Sequence, residues 1–128
     1  MKISGSCLCG SIAFEAEHQG ARVVACHCGQ CRKQSGHLWA ATAVPTASLR
    51  FDKDSTLAWF TSSQTAERGF CTTCGSSLFW RFKGGENTSV GLGALDEPTN
   101  LTLQTHIFTA HKGDYYDITD GLPHEENT

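Results

Sequence analysis

The sequence lacks long apolar runs, and it has no excess of positive charge. No stretch approaches the roughly 20 apolar residues that a membrane-spanning helix needs, and the N-terminus has no apolar segment of signal-peptide length. Ten Lys and Arg against thirteen Asp and Glu give a formal net charge of -3, which disfavours general binding to nucleic-acid phosphates. We therefore expect a cytoplasmic protein that binds neither a membrane nor nucleic acid.

Proline is scarce, with three residues, whereas glycine is frequent, with thirteen. This balance favours tight turns in a β-rich chain. A length of 128 residues is the usual size of one domain with its own core. The sequence shows no linker or low-complexity segment. We predict a single domain over residues 1–128, with a frayed acidic tail after about residue 123.

Alternation of apolar and polar residues predicts strands along most of the chain. These strands cover 12–17, 23–25, 38–44, 49–51, 57–61, 66–70, 77–82, 90–94, 101–108 and 115–118. Residues 30–36 are the exception, because they predict a short helix that Gly36 ends. The pattern predicts a mainly β fold, either a twisted sandwich or an open barrel, with Trp39, Trp59 and Trp80 in its core.

All seven cysteines lie in closely spaced groups. The groups are Cys7-Leu8-Cys9, Cys26-His27-Cys28-Gly29-Gln30-Cys31 and Cys71-Thr72-Thr73-Cys74. In a reducing compartment, such spacing favours metal binding over disulfides. Four thiolates saturate a tetrahedral zinc ion, whereas three leave one position open. The seven cysteines therefore divide into a set of four and a set of three.

The set of four combines Cys7 and Cys9 with Cys71 and Cys74. In an extended chain, residues two apart point to one face, so Cys7 and Cys9 can reach one ion. Cys71 and Cys74 have the spacing of a zinc knuckle, and Gly75 supplies the permissive backbone that such a turn needs after its second ligand. We predict a structural zinc at these four cysteines. A redox dithiol at Cys71 and Cys74 is the alternative.

Cys26, Cys28 and Cys31 form the set of three, which predicts a catalytic zinc with one open position. The fourth ligand would be water, substrate or a distant histidine, with His37, His106 and His111 as candidates. Three thiolates make zinc a weaker Lewis acid, so holding a substrate thiol suits the set better than activating water. A second structural site completed by a histidine is the alternative.

Four further residues near these groups have two interpretations each. Arg32 and Lys33 would either attract an anionic thiol or lie in solvent. His27 lies between two cysteines of one face, so we expect its ring to support the site from behind or to lie in the core. Asp96 would either polarise a pocket or form a turn before Pro98.

These motifs together resemble a known family. In chain order they are Gly5-Ser6-Cys7-Leu8-Cys9-Gly10, Cys26-His27-Cys28-Gly29-Gln30-Cys31-Arg32-Lys33, Gly69-Phe70-Cys71-Thr72-Thr73-Cys74-Gly75, Gly93-Ala94-Leu95-Asp96 and His106-Ile107-Phe108. The chain resembles the glutathione-dependent formaldehyde-activating enzyme family (the GFA domain), which also includes centromere protein V. The resemblance runs from about Ser6 to about Pro123.

The resemblance implies a β-tent fold, in which twisted antiparallel sheets are built around zinc. It implies a structural zinc on Cys7, Cys9, Cys71 and Cys74 and a catalytic zinc on Cys26, Cys28 and Cys31. The implied activity is a carbon–sulfur lyase reaction on a small thiol adduct, joining glutathione and formaldehyde into S-hydroxymethylglutathione or reversing that step. The implied partners are a small thiol and an aldehyde. Two alternatives stay open: a non-catalytic zinc module that binds a protein partner, and a thiol redox protein.

Overall fold

The computed structural model describes all residues from 1 to 128, and the chain divides into two compact units. The first unit contains residues 1–21 and 42–100, and the second contains residues 22–41 and 101–128. Each unit is assembled from two separate segments of the chain. The single-domain organisation stays a prediction.

Ten strands and one α-helix make up the regular structure, so the predicted mainly β fold with one short helix is confirmed. Strands β1 to β10 span Lys2–Ser6, Ala13–Glu17, Val23–Cys26, Trp39–Pro45, Arg50–Lys53, Leu57–Thr61, Ala66–Cys71, Ser77–Phe82, Asn87–Gly91 and Thr105–Ile107. The helix α1 spans Gly29–Ser35, and 3-10 helices span Thr46–Ser48, Leu92–Ala94 and Thr109–His111.

In the first unit, β1, β2 and β5 form an antiparallel sheet in the order β1-β2-β5. The strand β1 is absent from the sequence-based prediction, because its alternation is carried by Ile3 and Gly5 alone. Gly5 is required there, since a Cβ atom would lie 2.4 Å from the carbonyl oxygen of Ala94 and 2.8 Å from the Phe14 ring. The close packing of Ala94 and Phe14 against Gly5 is therefore not visible in the sequence pattern of β1.

The first unit also contains the antiparallel run β9-β8-β7-β6 and an aromatic core around Phe79. The ring of Phe14 meets Phe79 edge-on at 5.1 Å, and Trp59 stacks on it at 5.9 Å. The Arg81 guanidinium lies 3.6 Å from the Trp59 ring centroid. Trp59 is half-buried. The prediction of three core tryptophans holds fully only for Trp39, since Trp80 is also half-buried.

In the second unit, β3 and β10 run in parallel, and α1 follows β3 after two residues. The register places His106 opposite Ala25 and Ile107 opposite Cys26. Cys28 caps the helix, because its sulfur accepts the N–H of Cys31. Gly36 ends the helix with a φ of 96°, one residue from the predicted range.

The C-terminal segment departs from its predicted structure. The strand predicted over 101–108 is limited to β10, the one predicted over 90–94 ends at Gly91, and residues 115–118 form no strand. The tail that was expected to fray after about residue 123 is hydrogen-bonded: Glu125 donates to the His106 carbonyl at 2.8 Å, and Phe108 donates to Asn127 at 3.0 Å. This pairing holds the tail beside β10.

Candidate metal centres

The first unit brings Cys7, Cys9, Cys71 and Cys74 together, as the spacing predicts. Their sulfur atoms all lie within 4.8 Å of one another. The sulfur of Cys9 is 3.6 Å from that of Cys7 and 3.8 Å from that of Cys71. A tetrahedral zinc with Zn–S bonds of about 2.3 Å separates its sulfurs by about 3.8 Å. Both the donor type and the spacing of this four-cysteine group therefore fit zinc.

A turn that contains a glycine lies at each of the two cysteine pairs. Gly10 donates to the Cys7 carbonyl at 3.2 Å, and Gly75 donates to the Cys71 carbonyl at 2.9 Å. The φ angles of Gly10 and Gly75 are 80° and 79°, a conformation that favours glycine. The sequence Cys-Gly-Ser, which occurs twice in the chain, thus places a glycine of positive φ directly after one cysteine of each pair.

Three hydroxyl groups surround the four-cysteine group, and sequence reasoning missed all of them. The Ser11 hydroxyl lies 3.5 Å from the Cys71 sulfur and the Thr56 hydroxyl lies 3.4 Å from it. These two bonds lower the pKa of Cys71 to about 5, and the bond from Ser76 lowers the pKa of Cys74 to about 7. Both thiols are therefore prepared to bind a cation as thiolates. The sequence does contain a signal for two of these hydroxyls, because Ser11 and Ser76 each end a Cys-Gly-Ser segment.

The second unit brings Cys26, Cys28 and Cys31 together, again with their sulfurs within 4.8 Å of one another. Cys26 ends β3, Cys28 caps α1 and Cys31 lies in its first turn. The N–H of Cys31 donates to the Cys28 sulfur at 3.3 Å. The N–H of Cys74 donates to Cys71 in the same way, at 3.4 Å. The two Cys-x-x-Cys segments therefore contain the same N–H to sulfur contact.

The electrostatics of this three-cysteine group favour a bound cation. The adjacent thiols of Cys28 and Cys31, together with burial, raise the pKa of Cys26. Like charges at this distance cannot coexist without compensation, so three thiolates need a positive ion between them. A soft divalent ion such as zinc fits this all-sulfur set.

No histidine or carboxylate joins the three-cysteine group within 4.8 Å. His37, one candidate for a fourth ligand, is exposed and uses its Nδ1 to contact the Tyr115 hydroxyl at 2.7 Å. His111 is exposed as well, and its carbonyl accepts a hydrogen bond from Arg32 at 3.2 Å. His106 is buried and has partners of its own. None of the three histidine candidates is therefore grouped with the three sulfurs.

His27 begins a hydrogen-bonded chain behind the three-cysteine group. Its Nδ1 lies 2.6 Å from the Tyr116 hydroxyl, and its Nε2 lies 2.8 Å from His106 Nδ1. The Nε2 of His106 lies 2.7 Å from Asp120 Oδ2. Burial and the nearby His106 lower the pKa of His27 to about 4, so its ring is neutral near pH 7. We call these four residues the Tyr–His–His–Asp chain.

A third group of metal-ligand types consists of His106, Asp120 and His124, whose ligand atoms lie within 4.8 Å of one another. The 2.7 Å contact between His106 and Asp120 has the length of a hydrogen bond, which places a proton rather than an ion between them. Sequence reasoning assigned Tyr116 and Asp120 no role, because Tyr116 lies in a segment predicted as strand and Asp120 lies between that segment and the predicted acidic tail.

The remaining candidates differ in their surroundings. Arg32 is half-buried, and its Nε is buried without a hydrogen-bond partner, whereas Lys33 is exposed. Asp96 accepts a hydrogen bond of 2.8 Å from the Ser4 hydroxyl, so it connects two segments of the first unit.

The only α-helix has seven residues, and no helix has the length and apolar character needed to cross a membrane.

Comparisons with known proteins match the part of the chain that contains all seven cysteines. Residues 2–111 match the family model described as glutathione-dependent formaldehyde-activating enzyme. The chain is 27% identical over 120 residues to an uncharacterised lyase of Schizosaccharomyces pombe, covering 91% of this chain and 85% of that protein. It is also similar to the crystal structure of a Rhodobacter sphaeroides protein. That similarity has a TM-score of 0.63 and 28% identity, and it covers 78% of this chain and 92% of the other.

Proposed function

The chain belongs to the glutathione-dependent formaldehyde-activating enzyme family, and from this premise we propose that it is a zinc-dependent carbon–sulfur lyase acting on a small thiol adduct. The family and the lyase relative support an enzyme of the lyase type in general. The observation that carries the finer proposal is the three-cysteine group, which gathers three sulfur ligands and no other ligand type within 4.8 Å. Such a set leaves one coordination position for substrate.

The chemistry of this group favours a thiol as the substrate. When bound by Cys26, Cys28 and Cys31, zinc would take up a substrate thiol and keep it as the thiolate. The four-cysteine group has no comparable opening, because its four sulfurs complete a tetrahedron. We therefore assign a catalytic role to the three-cysteine group and a structural role to the four-cysteine group.

The surroundings of Arg32 favour an anionic thiol, such as glutathione, as the substrate. Arg32 lies in α1, next in sequence to Cys31, and its buried Nε lacks a hydrogen-bond partner. A buried donor without a partner costs stability, and a substrate carboxylate would supply the missing acceptor. Lys33 is exposed and does not share this feature.

The proposed reaction joins a thiol and formaldehyde into a hydroxymethyl thioether, and the reverse reaction separates them. In the joining direction, the thiol sulfur forms a bond to the aldehyde carbon and the carbonyl oxygen gains a proton. The thiol loses one proton, so the atoms balance without an oxidant or reductant. The reaction class is carbon–sulfur lyase, and the adduct with glutathione is S-hydroxymethylglutathione.

The test is the rate of formation and cleavage of S-hydroxymethylglutathione by the purified protein. We expect activity in the wild type and a loss of at least about 100-fold in Cys28→Ser, because one zinc ligand is removed. Far-ultraviolet circular dichroism should show an intact fold in the variant, and Lys33→Met serves as a matched control that keeps activity. A wild type that is inert with glutathione and with a panel of other thiols and aldehydes would contradict the proposal.

A further inference from the structure

The tail, residues 123–128, lies along β10 and is tied to it at several points. The N–H of His106 donates to the Pro123 carbonyl at 2.9 Å, and the N–H of Glu125 donates to the His106 carbonyl at 2.8 Å. The Arg22 guanidinium pairs with the Glu125 carboxylate. The match to the family model ends at residue 111, so the family match says nothing about the role of the tail.

The tail also fixes the turn at residues 108–111, which follows β10. Three consecutive N–H groups of this turn donate to carbonyls of the tail: those of Phe108, Thr109 and Ala110, at 3.0, 3.1 and 3.3 Å. The Thr109 hydroxyl donates to the Glu125 carbonyl as well, at 3.1 Å. The conformation of the turn is therefore determined by the tail and not only by its own sequence.

Phe108, the first residue of this turn, has a backbone conformation that needs such support. Its φ of 54° and ψ of 37° lie in the left-handed region, which is unfavourable for a residue with a bulky side chain. Conformations of this kind persist where the surrounding structure enforces them, and they are frequent at binding sites. The Phe108 N–H is held by the Asn127 carbonyl, and the Phe108 carbonyl accepts the N–H of His111 at 3.0 Å.

The last residue of the turn, His111, binds the side chain of Arg32. The Nη2 atom of Arg32 donates to the His111 carbonyl at 3.2 Å. The same Nη2 atom lies 3.6 Å from the position that a Cβ atom would take on Gly29, the residue that follows Cys28. The guanidinium is therefore held between the turn and the loop that carries the three sulfurs, while its buried Nε has no hydrogen-bond partner.

We propose that the tail positions Arg32 for a substrate carboxylate and thereby determines the preference for thiols that carry one. Thr109 and Glu125 are positioning residues, because they act on Arg32 only through the turn and its His111 carbonyl. A guanidinium that is already oriented loses less conformational entropy when it binds a carboxylate. This inference rests on the proposed function, in which Arg32 binds a carboxylate of the thiol.

The test compares the formaldehyde adducts of glutathione and of glutathione diethyl ester, in which both carboxylates are esterified. Glu125→Pro removes the N–H that donates to His106 and the carboxylate that pairs with Arg22, so it should detach the tail. For the glutathione adduct, we expect KM to rise about threefold to fivefold with kcat nearly unchanged, the effect of one side chain that must be ordered on binding. For the ester adduct, KM should stay at the wild-type value.

Two further variants grade and control this result. Thr109→Val removes only the hydroxyl that donates to the Glu125 carbonyl, so it should raise KM for the glutathione adduct about twofold. It also keeps the comparison possible if Glu125→Pro does not fold. Asp117→Ala is the control, because it removes one exposed carboxylate of the same unit outside the tail. It should keep the wild-type KM for both adducts.

A double-mutant cycle with Arg32→Met separates positioning from a general structural role. If the tail acts through Arg32, Glu125→Pro raises KM for the glutathione adduct in the wild-type background and has no effect in the Arg32→Met background. A purely structural role would give the same relative change in both backgrounds. Circular dichroism of each variant should show the wild-type β fold.

Three results would overturn the inference. They are an equal rise in KM for both adducts in Glu125→Pro, a rise that persists in the Arg32→Met background, and a wild type that does not prefer glutathione to its diethyl ester. Direct binding of the two thiols is measured by calorimetry beside turnover. A wild type that turns over no adduct but binds glutathione more tightly than the ester, with this preference reduced in Glu125→Pro, would contradict the proposed function and leave the positioning of Arg32 standing.

Discussion

The two cysteine groups use the same ligand and almost the same local turn, yet they differ in what surrounds them. In the four-cysteine group, two strand-flanking turns supply two sulfurs each, and the hydroxyls of Ser11, Thr56 and Ser76 stabilise the thiolates. In the three-cysteine group, a single loop supplies all three sulfurs, and adjacent thiols raise the pKa of Cys26.

Under the proposed function, ligand number and environment, rather than ligand type, separate the structural group from the catalytic one. The four-cysteine group joins segments that are 62 residues apart, so its ion would contribute to folding. The three-cysteine group spans six residues of sequence and links no distant segments through its sulfurs. The fold should therefore depend strongly on the first group and weakly on the second.

Cys71→Ser should produce the largest effect that separates the two groups. It removes a fully buried ligand, and structural zinc contributes about 10 kcal/mol or more to the folding of small zinc domains. We expect a loss of several kcal/mol in the free energy of unfolding, measured by denaturant titration, or a chain that does not fold. Cys28→Ser, the matched variant in the other group, should change the unfolding free energy by less than about 2 kcal/mol. Equal destabilisation by the two variants would remove the distinction.

Metal removal should show that the four-cysteine group binds its ion more tightly than the three-cysteine group does. A mild chelator should remove one zinc per chain first and abolish activity, while circular dichroism still shows the β fold, because three protein ligands hold an ion less firmly than four. Re-addition of zinc should restore activity. Simultaneous loss of both ions together with the fold would show that the groups do not differ in this way.

Ser11→Ala should weaken the four-cysteine group by a moderate amount. The pKa of Cys71 is lowered to about 5 by Ser11 and Thr56, so thiolate stabilisation is fully present above the ordinary thiol pKa of about 8.5 and is lost as the pH falls toward 5. Without Ser11, this pKa rises and zinc leaves at a higher pH. We expect zinc affinity to fall about 10-fold, measured by competition with a chromogenic chelator across pH.

Ser35→Ala is the control for that experiment. The Ser35 hydroxyl donates to the Cys31 carbonyl at 2.7 Å, so it contacts the backbone of the three-cysteine group rather than a sulfur. We expect zinc release from this variant at the wild-type pH. A shift of similar size in Ser35→Ala would mean that loss of any nearby hydroxyl, and not thiolate stabilisation, explains the Ser11 result.

Arg32→Met should produce the smallest effect, and one confined to the three-cysteine group. Removal of the guanidinium should raise KM for glutathione about threefold to tenfold with kcat nearly unchanged, since it removes a contact to a remote substrate carboxylate. Lys33→Met should leave KM unchanged. The two variants are compared with glutathione and with an uncharged thiol, and an equal effect of Arg32→Met on both would contradict a carboxylate contact.

Local features were predictable from the sequence, whereas features that depend on distant contacts were not. The cysteine groups and α1 follow from spacing and from Gly36, which act over a few residues. The contact of Tyr116 with His27 joins residues 89 positions apart, and no local pattern indicates it. The alternation at 115–118 predicted a strand there, but Tyr115 and Tyr116 direct their hydroxyls to histidines instead. The strand β1 was missed because Gly5 is selected by the close approach of Ala94.

The central claim is that the three-cysteine group holds a metal ion with a position open to a substrate thiol. The most direct measurement is the absorption of cobalt-substituted protein during a glutathione titration, since charge transfer from thiolate to cobalt increases with each added sulfur. We predict a saturable increase in the wild type and none in the variant that combines Cys26→Ser, Cys28→Ser and Cys31→Ser, which should retain one cobalt per chain. A wild-type spectrum that glutathione leaves unchanged would contradict the account.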